Sequence, residues 1–232
     1  MYHIEMTPAA SSIVAPSIVE WDAIDTVLVD MDGTLLDLSF DTFFWREVVP
    51  RRYASLHNLT VPAAQAALTP RFEAKVGTLE WYCLDHWASD LGLDLKTLKH
   101  EHREHIRFLP GAQEFLASVR ARGKRLVIVT NAHRDTFAVK AERTGIDRLV
   151  DSVVCSHDFS APKESAVFWR ALEAHEPFDR MRTLLIEDSL SVLAAARDYG
   201  IRHMLAIRRP DSQLPPRATP DFLGVDGVFE LV

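Results

Sequence analysis

The stretch VLVDMDGTLLD, residues 27–37, decides how this chain is read. Val27 to Val29 have the character of a buried β-strand, yet the run ends on two carboxylates, Asp30 and Asp32, followed by Gly33 and Thr34. Side chains alternate faces along a strand, so Asp30 and Asp32 can project to one side at its carboxyl end, where open parallel sheets bind ligands. Like charges this close repel and raise one pKa unless a cation lies between them. The pair therefore implies either a shared proton or a bound metal ion. Gly33 permits a sharp turn, and Thr34 can tie that turn down by hydrogen bonding. The bland alternative is a loop in which the aspartates only cap backbone amides.

Outward from this stretch the chain alternates. Short apolar, β-branched runs, TVLVD, RLVIVT, SVVCSH, RTLLIED and RHMLAI, are separated by helical patterns over residues 113–121, 135–143, 164–174 and 191–199. Several of these end near a glycine, Gly123, Gly145 or Gly200, as helices commonly do. Right-handed βαβ units follow, and with them an α/β fold built on a Rossmann-like parallel sheet. Residues 39–108 break the alternation. They contain no convincing strand but several amphipathic stretches, among them FDTFFWREVV and TLEWYCLDHWASDLG, and so predict an inserted α-helical cap. Leu109, Pro110 and Gly111 are the expected return hinge. The domain plan is a loosely ordered lead-in over 1–20, an α/β core from 21–38 and 109–232, and a cap over 39–108. The Pro- and Asp-rich tail RRPDSQLPPRATPD is expected to be loop.

Composition excludes several classes. A chain of 232 residues with 47% hydrophobic content has ample material for a packed interior. Lys and Arg total 26 against 33 Asp and Glu, and a net charge of −7 argues against a surface made for a nucleic-acid backbone or an anionic membrane. Cys83 and Cys155 are too few for a disulfide framework and lack zinc-site spacing. No Lys or Arg precedes Arg46 and no apolar run approaches membrane-spanning length, so a cytoplasmic protein without a targeting segment is expected.

The other strand ends also carry chemistry. Thr130 and Asn131 stand at a strand-to-helix junction where a hydroxyl and backbone amides can hold phosphate oxygens, although such a pair is more often a helix cap. Lys163, in APKES, stands at the edge of the following helix as a point cation for a phosphoryl group. Glu187 and Asp188, in LLIEDS, complete the oxygen-rich carboxylate set that Mg²⁺ prefers. Each signal is weak alone. Their repetition at the ends of consecutive strands is not.

With these residues assembled, the chain resembles the haloacid dehalogenase superfamily of aspartyl-phosphate enzymes. DMDGT is similar to its first motif, Thr130 to its second, Lys163 to its third and EDS to its fourth. The insertion resembles the helical cap of the subfamily containing phosphoglycolate phosphatase and β-phosphoglucomutase. DMDGTLLDLSFD, EWYCLDHW, TNAHR, PKE and IEDS together look like its bacterial purine 5′-nucleotidase branch, acting on GMP and IMP. Many relatives carry a glycine before the fourth-motif aspartate and an acid four positions after it. Here those positions are Glu187 and Val192.

The resemblance implies a phosphomonoester hydrolase. Asp30 would be the nucleophile and Asp32 the general acid and base. Mg²⁺, or Mn²⁺ or Co²⁺ in its place, would be held by Asp30, the Asp32 carbonyl, Asp188 and, through water, Glu187. Lys163, Thr130 and Asn131 would hold the phosphoryl oxygens. The implied substrate is a small phosphate ester, a purine nucleoside monophosphate, with phosphoglycolate or sugar phosphates and a phosphomutase reaction as alternatives. A monomer or weak homo-oligomer is expected. A halide-displacing enzyme needs no acid for its leaving group, so Asp32 favours phosphate esters. In the cap, Trp45, Trp81, Asp85 and His86 are candidate substrate contacts. Helical spacing makes each aromatic more easily explained as cap core. His102 and His105 superficially suggest a metal pair, but their alternating charged neighbours read as a solvated helix face.

Overall fold

The computed structural model describes residues 18–232, so most of the expected lead-in over 1–20 lies outside the described residues. Six parallel strands form one sheet: β1 (Thr26–Val29), β2 (Arg125–Thr130), β3 (Ser152–Cys155), β4 (Thr183–Glu187), β5 (His203–Ile207) and β6 (Gly224–Val225). Their order is β3-β2-β1-β4-β5-β6. The first five match the apolar runs read from sequence. β6 was not expected: it lies just beyond the Pro-rich tail and pairs only Gly224 and Val225 with Ala206 and Ile207, too short for a periodicity signal.

Alternation along the strands builds two apolar layers. Val27, Val29, Leu126, Ile128, Leu184 and Ile186 face one side, where they meet Phe115, Leu116, Val119 and Val139. Leu28, Val127, Val129 and Leu185 face the other, against Phe168, Trp169, Leu172, Val192 and Leu193. Helices therefore cover both faces, as strands buried on both sides require.

Six helices fill the interval between β1 and β2 before the first sheet-covering helix: α1 (Ser39–Phe43), α2 (Val49–His57), α3 (Val61–Glu73), α4 (Leu79–Tyr82), α5 (Leu84–Leu91) and α6 (Leu95–Glu101). A π-helical turn over Phe44–Val48 joins α1 to α2. These helices pack on a cluster of their own, centred on Phe44, Val49, Leu68, Trp87, Leu91 and Leu95. The remaining helices are α7 (Ala112–Ala121), α8 (Arg134–Thr144), α9 (Ala166–His175) and α10 (Leu190–Tyr199), each within two residues of its expected bounds.

The two chain segments that lead into and out of the helical insertion run antiparallel to each other. Leu36 bridges Phe108, Leu109 N–H donates to Leu35 O at 2.8 Å, and Asp37 N–H donates to Arg107 O at 3.0 Å. The Asp37 carboxylate ties this neck to the tail, accepting from Ser212 Oγ at 2.6 Å and Arg107 Nε at 2.9 Å.

Trp169 is fully buried beneath the sheet and its Nε1 donates to Lys163 O at 2.7 Å, so it packs the core and fixes a site loop together. Trp169→Ala is expected to lower unfolding free energy by about 3–5 kcal/mol. Urea denaturation followed by circular dichroism checks this.

Candidate active site

Strand order 3-2-1-4-5-6 reverses direction at β1, and ligands bind such sheets in the crevice beyond the strand ends at that point. Asp30 follows β1 directly, and its N–H continues the ladder by donating to Ile186 O at 2.9 Å. The chain then turns tightly: Met31 O accepts from both Leu35 N–H and Leu36 N–H, at 3.0 and 2.8 Å. Gly33 makes this possible. Its φ is +88°, and a Cβ there would lie 2.8 Å from the Pro210 side chain and 3.0 Å from the Asp188 carboxylate.

Asp188 follows β4 in register with this turn. Among the described residues, Asp30, Glu187 and Asp188 each bring a carboxylate oxygen within 4.8 Å of the others. Lys163, from the loop before α9, is pinned among them: Nζ donates to Asp30 Oδ1 at 2.6 Å, Glu187 Oε2 at 2.7 Å and Val129 O at 2.9 Å. Glu187 is saturated further, its Oε1 accepting from the amides of Asp188 and Ser189 at 3.1 and 3.0 Å. Arg217, from the tail, donates to Asp188 Oδ2 at 3.1 Å.

Burial makes this crowd costly. It pushes the Asp30 carboxyl up to about 7, with repulsion from Glu187 adding to the effect and Lys163 opposing it. Glu187 is likewise pushed up to about 7 and Asp188 to about 6, in both cases chiefly by burial. Asp30 Oδ2 is buried and has no hydrogen-bond partner among the described residues. An orphaned hard oxygen beside two more carboxylates suits a divalent, oxygen-seeking cation.

The remaining expected residues fall into two groups. Thr130 Oγ1 accepts from Ala132 N–H at 3.0 Å, which leaves its own proton free to donate. Asn131 is buried and braces the site: Oδ1 accepts from Lys163 N–H at 2.9 Å, and Nδ2 donates to Glu164 Oε2 at 3.0 Å. Glu164 Oε1 in turn accepts from Tyr82 Oη of the insertion at 2.6 Å. Asp30, Asp32, Thr130, Asn131, Lys163 and Asp188 all line a cavity of about 790 Å³. Trp45 and Trp81 line it as well, with Phe72 and Trp87. The Phe72 and Trp87 rings meet edge-on at 4.9 Å and 81°.

Asp85 and His86 are not among the cavity's lining residues. The Asp85 side chain is 77% exposed and lies 3.5 Å from His133 Nε2, because the apolar side of α5 turns Leu84 and Trp87 inward, while His86 is half-buried with its ring edge-on to Trp87 at 4.9 Å. The structure also brings in residues that sequence reading missed. Lys140 Nζ donates to Asp32 Oδ1 at 2.6 Å and to Asp41 Oδ2 at 2.5 Å, and Lys99 Nζ donates to Asp41 Oδ1 at 2.8 Å. Both lysines are almost wholly buried. The available signal was Lys140 four residues after Thr136 on one helix face, which reads as an ordinary solvated position.

Comparison with known proteins agrees with this geometry. The family model described as haloacid dehalogenase-like hydrolase matches residues 27–206. The chain is 39% identical over 194 residues to the GMP/IMP nucleotidase YrfG of Escherichia coli K12, covering 84% of this chain and 87% of that protein, and equally to its Shigella flexneri counterpart. Among solved structures, a HAD phosphatase from Thermococcus onnurineus superposes with a TM-score of 0.76 at 19% identity, covering 90% of this chain and 96% of that one. The magnesium-bound putative HAD-hydrolase YfnB of Bacillus subtilis gives 0.62 at 18% identity over the same shares. At such identities these structures speak for the fold alone. A sheet carrying an acidic pair after β1, a lysine before α9 and a second acidic pair at the end of β4, matched along most of its length, belongs to the haloacid dehalogenase-like hydrolases.

Proposed function

We propose that this protein is a metal-dependent phosphomonoesterase with a helical cap over 39–108, hydrolysing purine nucleoside monophosphates of the GMP and IMP type. The observation that carries the reading is the convergence of Asp30, Glu187 and Asp188 around one point, with Lys163 fixed among them. The nucleotidase likeness of the 39% identical relative supports the substrate class.

Asp30 is the nucleophile: its buried carboxylate attacks phosphorus and carries the phosphoryl group as an aspartyl-phosphate until water releases it. Asp32 donates a proton to the leaving ester oxygen and later takes one from the attacking water. Burial raises the Asp32 pKa against the opposing pull of Lys140, in keeping with a carboxyl that starts protonated. The positive charge of Lys163, the Thr130 hydroxyl and the Asn131 backbone amide stabilise the equatorial oxygens as charge spreads over them. Mg²⁺ suits the oxygens of Asp30, Asp188 and the Asp32 carbonyl, and when bound supplies the positive charge that lets a carboxylate approach a phosphate dianion. Glu187, with both oxygens engaged by Lys163 and backbone amides, orients that lysine and would meet a bound metal only through water.

The cavity, about 790 Å³, exceeds what phosphoglycolate needs and has the aromatic walls a base requires. Stacking on Trp45 or Trp81 would contribute roughly 1–3 kcal/mol. Arg46 lines the same space, and its guanidinium has no hydrogen bond or ion pair among the described residues. A guanidinium matches the O6 and N7 acceptors of a 6-oxopurine and opposes the amine of adenine.

Two experiments test the proposal. Phosphate release from a panel of GMP, IMP, AMP, phosphoglycolate and glucose phosphates should be fastest on GMP and IMP, and Asp30→Asn should bring it below about one thousandth of the wild-type rate in a folded protein. Equal rates on sugar phosphates would remove the nucleotidase reading, and a folded, active Asp30→Asn would remove the nucleophile. The second concerns pH. Asp30, Glu187 and Asp188 have folded pKa values above the ordinary carboxylate value, so their contribution to metal-free stability is greatest below about pH 4 and declines as pH rises towards 7, as these groups ionise in a buried site beside one another. Mg²⁺ relieves that repulsion and competes with protons. Its increment in melting temperature should therefore be larger near pH 8 than near pH 5, and scanning fluorimetry with and without EDTA reads the difference.

A further inference from the structure

We propose that Lys140 and Asp41 are positioning residues for Asp32, and that Lys99 completes the clamp from the helical insertion. The proposal rests on the reading of Asp32 as the acid of the reaction. Four ionisable side chains, carboxyls alternating with ammoniums, run in one line, from the loop after β1, through α8, to α1 and α6. Each link is short: 2.6 Å from Lys140 Nζ to Asp32 Oδ1, 2.5 Å to Asp41 Oδ2, and 2.8 Å from Lys99 Nζ to Asp41 Oδ1.

The line is built, not incidental. Lys140 is 1% exposed and Lys99 2%, whereas lysines at ordinary helix positions keep their ammonium in water. Lys99 Nζ lies 4.4 Å from the centroid of the Phe44 ring and 5.1 Å from that of Phe40, so aromatic faces offset part of its lost hydration. Burial disfavours the Asp41 carboxylate, but Lys140 and Lys99 outweigh it and hold the group far below the usual carboxylate range. It is thus a permanent anion that keeps Lys140 in place. The arrangement fixes only one oxygen of Asp32, since Oδ2 has no hydrogen bond among the described residues. A carboxyl pinned through Oδ1 presents Oδ2 to the cavity in one orientation, which is what proton delivery to a leaving oxygen requires. A structural role alone would not need the line to end on a cavity-lining acid. Buried ion pairs are often replaceable by apolar groups without loss of stability.

The test uses leaving groups. Transfer from GMP expels a poor leaving group that needs a proton, whereas an aryl phosphate such as p-nitrophenyl phosphate expels one that does not. With the Mg²⁺-loaded full chain, Lys140→Met is expected to slow single-turnover phosphoryl transfer from GMP by about 10²-fold or more, and the p-nitrophenolate burst by less than about fivefold. Asp32→Asn should show the same disparity, and the double variant should fall no lower than Asp32→Asn alone, because the two act as a unit. Equal losses on both substrates, or multiplying losses in the double variant, would overturn the proposal. Should Lys140→Met not fold, Asp41→Asn, which retains both lysines, must show the disparity to a smaller degree, and its absence would be equally fatal. An Asp32→Asn enzyme with no leaving-group dependence would instead refute Asp32 as the acid and leave the phosphatase reading to the substrate panel.

Discussion

Three carboxylates, Asp30, Glu187 and Asp188, are forced into one buried volume with a single buried ammonium, Lys163, among them. Everything else in the core makes that crowding tolerable. Parallel pairing of β1 with β4 sets Asp30 beside Glu187 and Asp188 without any long side-chain reach. Lys163 spends all three of its donors on Asp30, Glu187 and Val129 O, so its position is set from three strands at once. Trp169 and Asn131 hold its backbone from either side. The protein thus stores electrostatic repulsion at a place where a divalent cation would relieve it, which is how active sites commonly relate to the stability of their scaffold.

A second charged system, Asp32 with Lys140, Asp41 and Lys99, lies beside the first but is balanced internally. The contrast is chemical. The set around Asp30 has an excess of acid and one orphaned oxygen, and so asks for a ligand. The set around Asp32 alternates carboxyls with ammoniums, and so fixes geometry. Two aspartates separated by one residue are thereby given different surroundings, and different surroundings set carboxyl groups to different tasks.

The parts of this architecture that sequence revealed are those governed by local rules. The first five strands show as apolar, β-branched runs, and a strand end is a fixed address, so Asp30, Thr130, Lys163 and Asp188 could be assigned to one edge before any coordinates. Lys140, Asp41 and Lys99 could not. Their partnership depends on how α8 meets the insertion, across 58 and 99 residues of chain, and each alone looks like a solvated charge. Asp85 and His86 are neighbours of an aromatic cluster in sequence, yet neither is among the residues that line the cavity. β6 escaped because two residues cannot display a period.

The neck of the insertion closes the matter of how such a chain divides its labour. Leu36 and Phe108 are bridged directly, so the 71 residues between them begin and end at one point on the body. Such a closed loop is a graft site: a helical insertion of another size or shape, starting and finishing at the same bridge, leaves β1 and the turn that carries Asp30 and Asp32 untouched. The part of the cavity wall that the insertion supplies can then change while the acidic cluster at the sheet edge stays as it is.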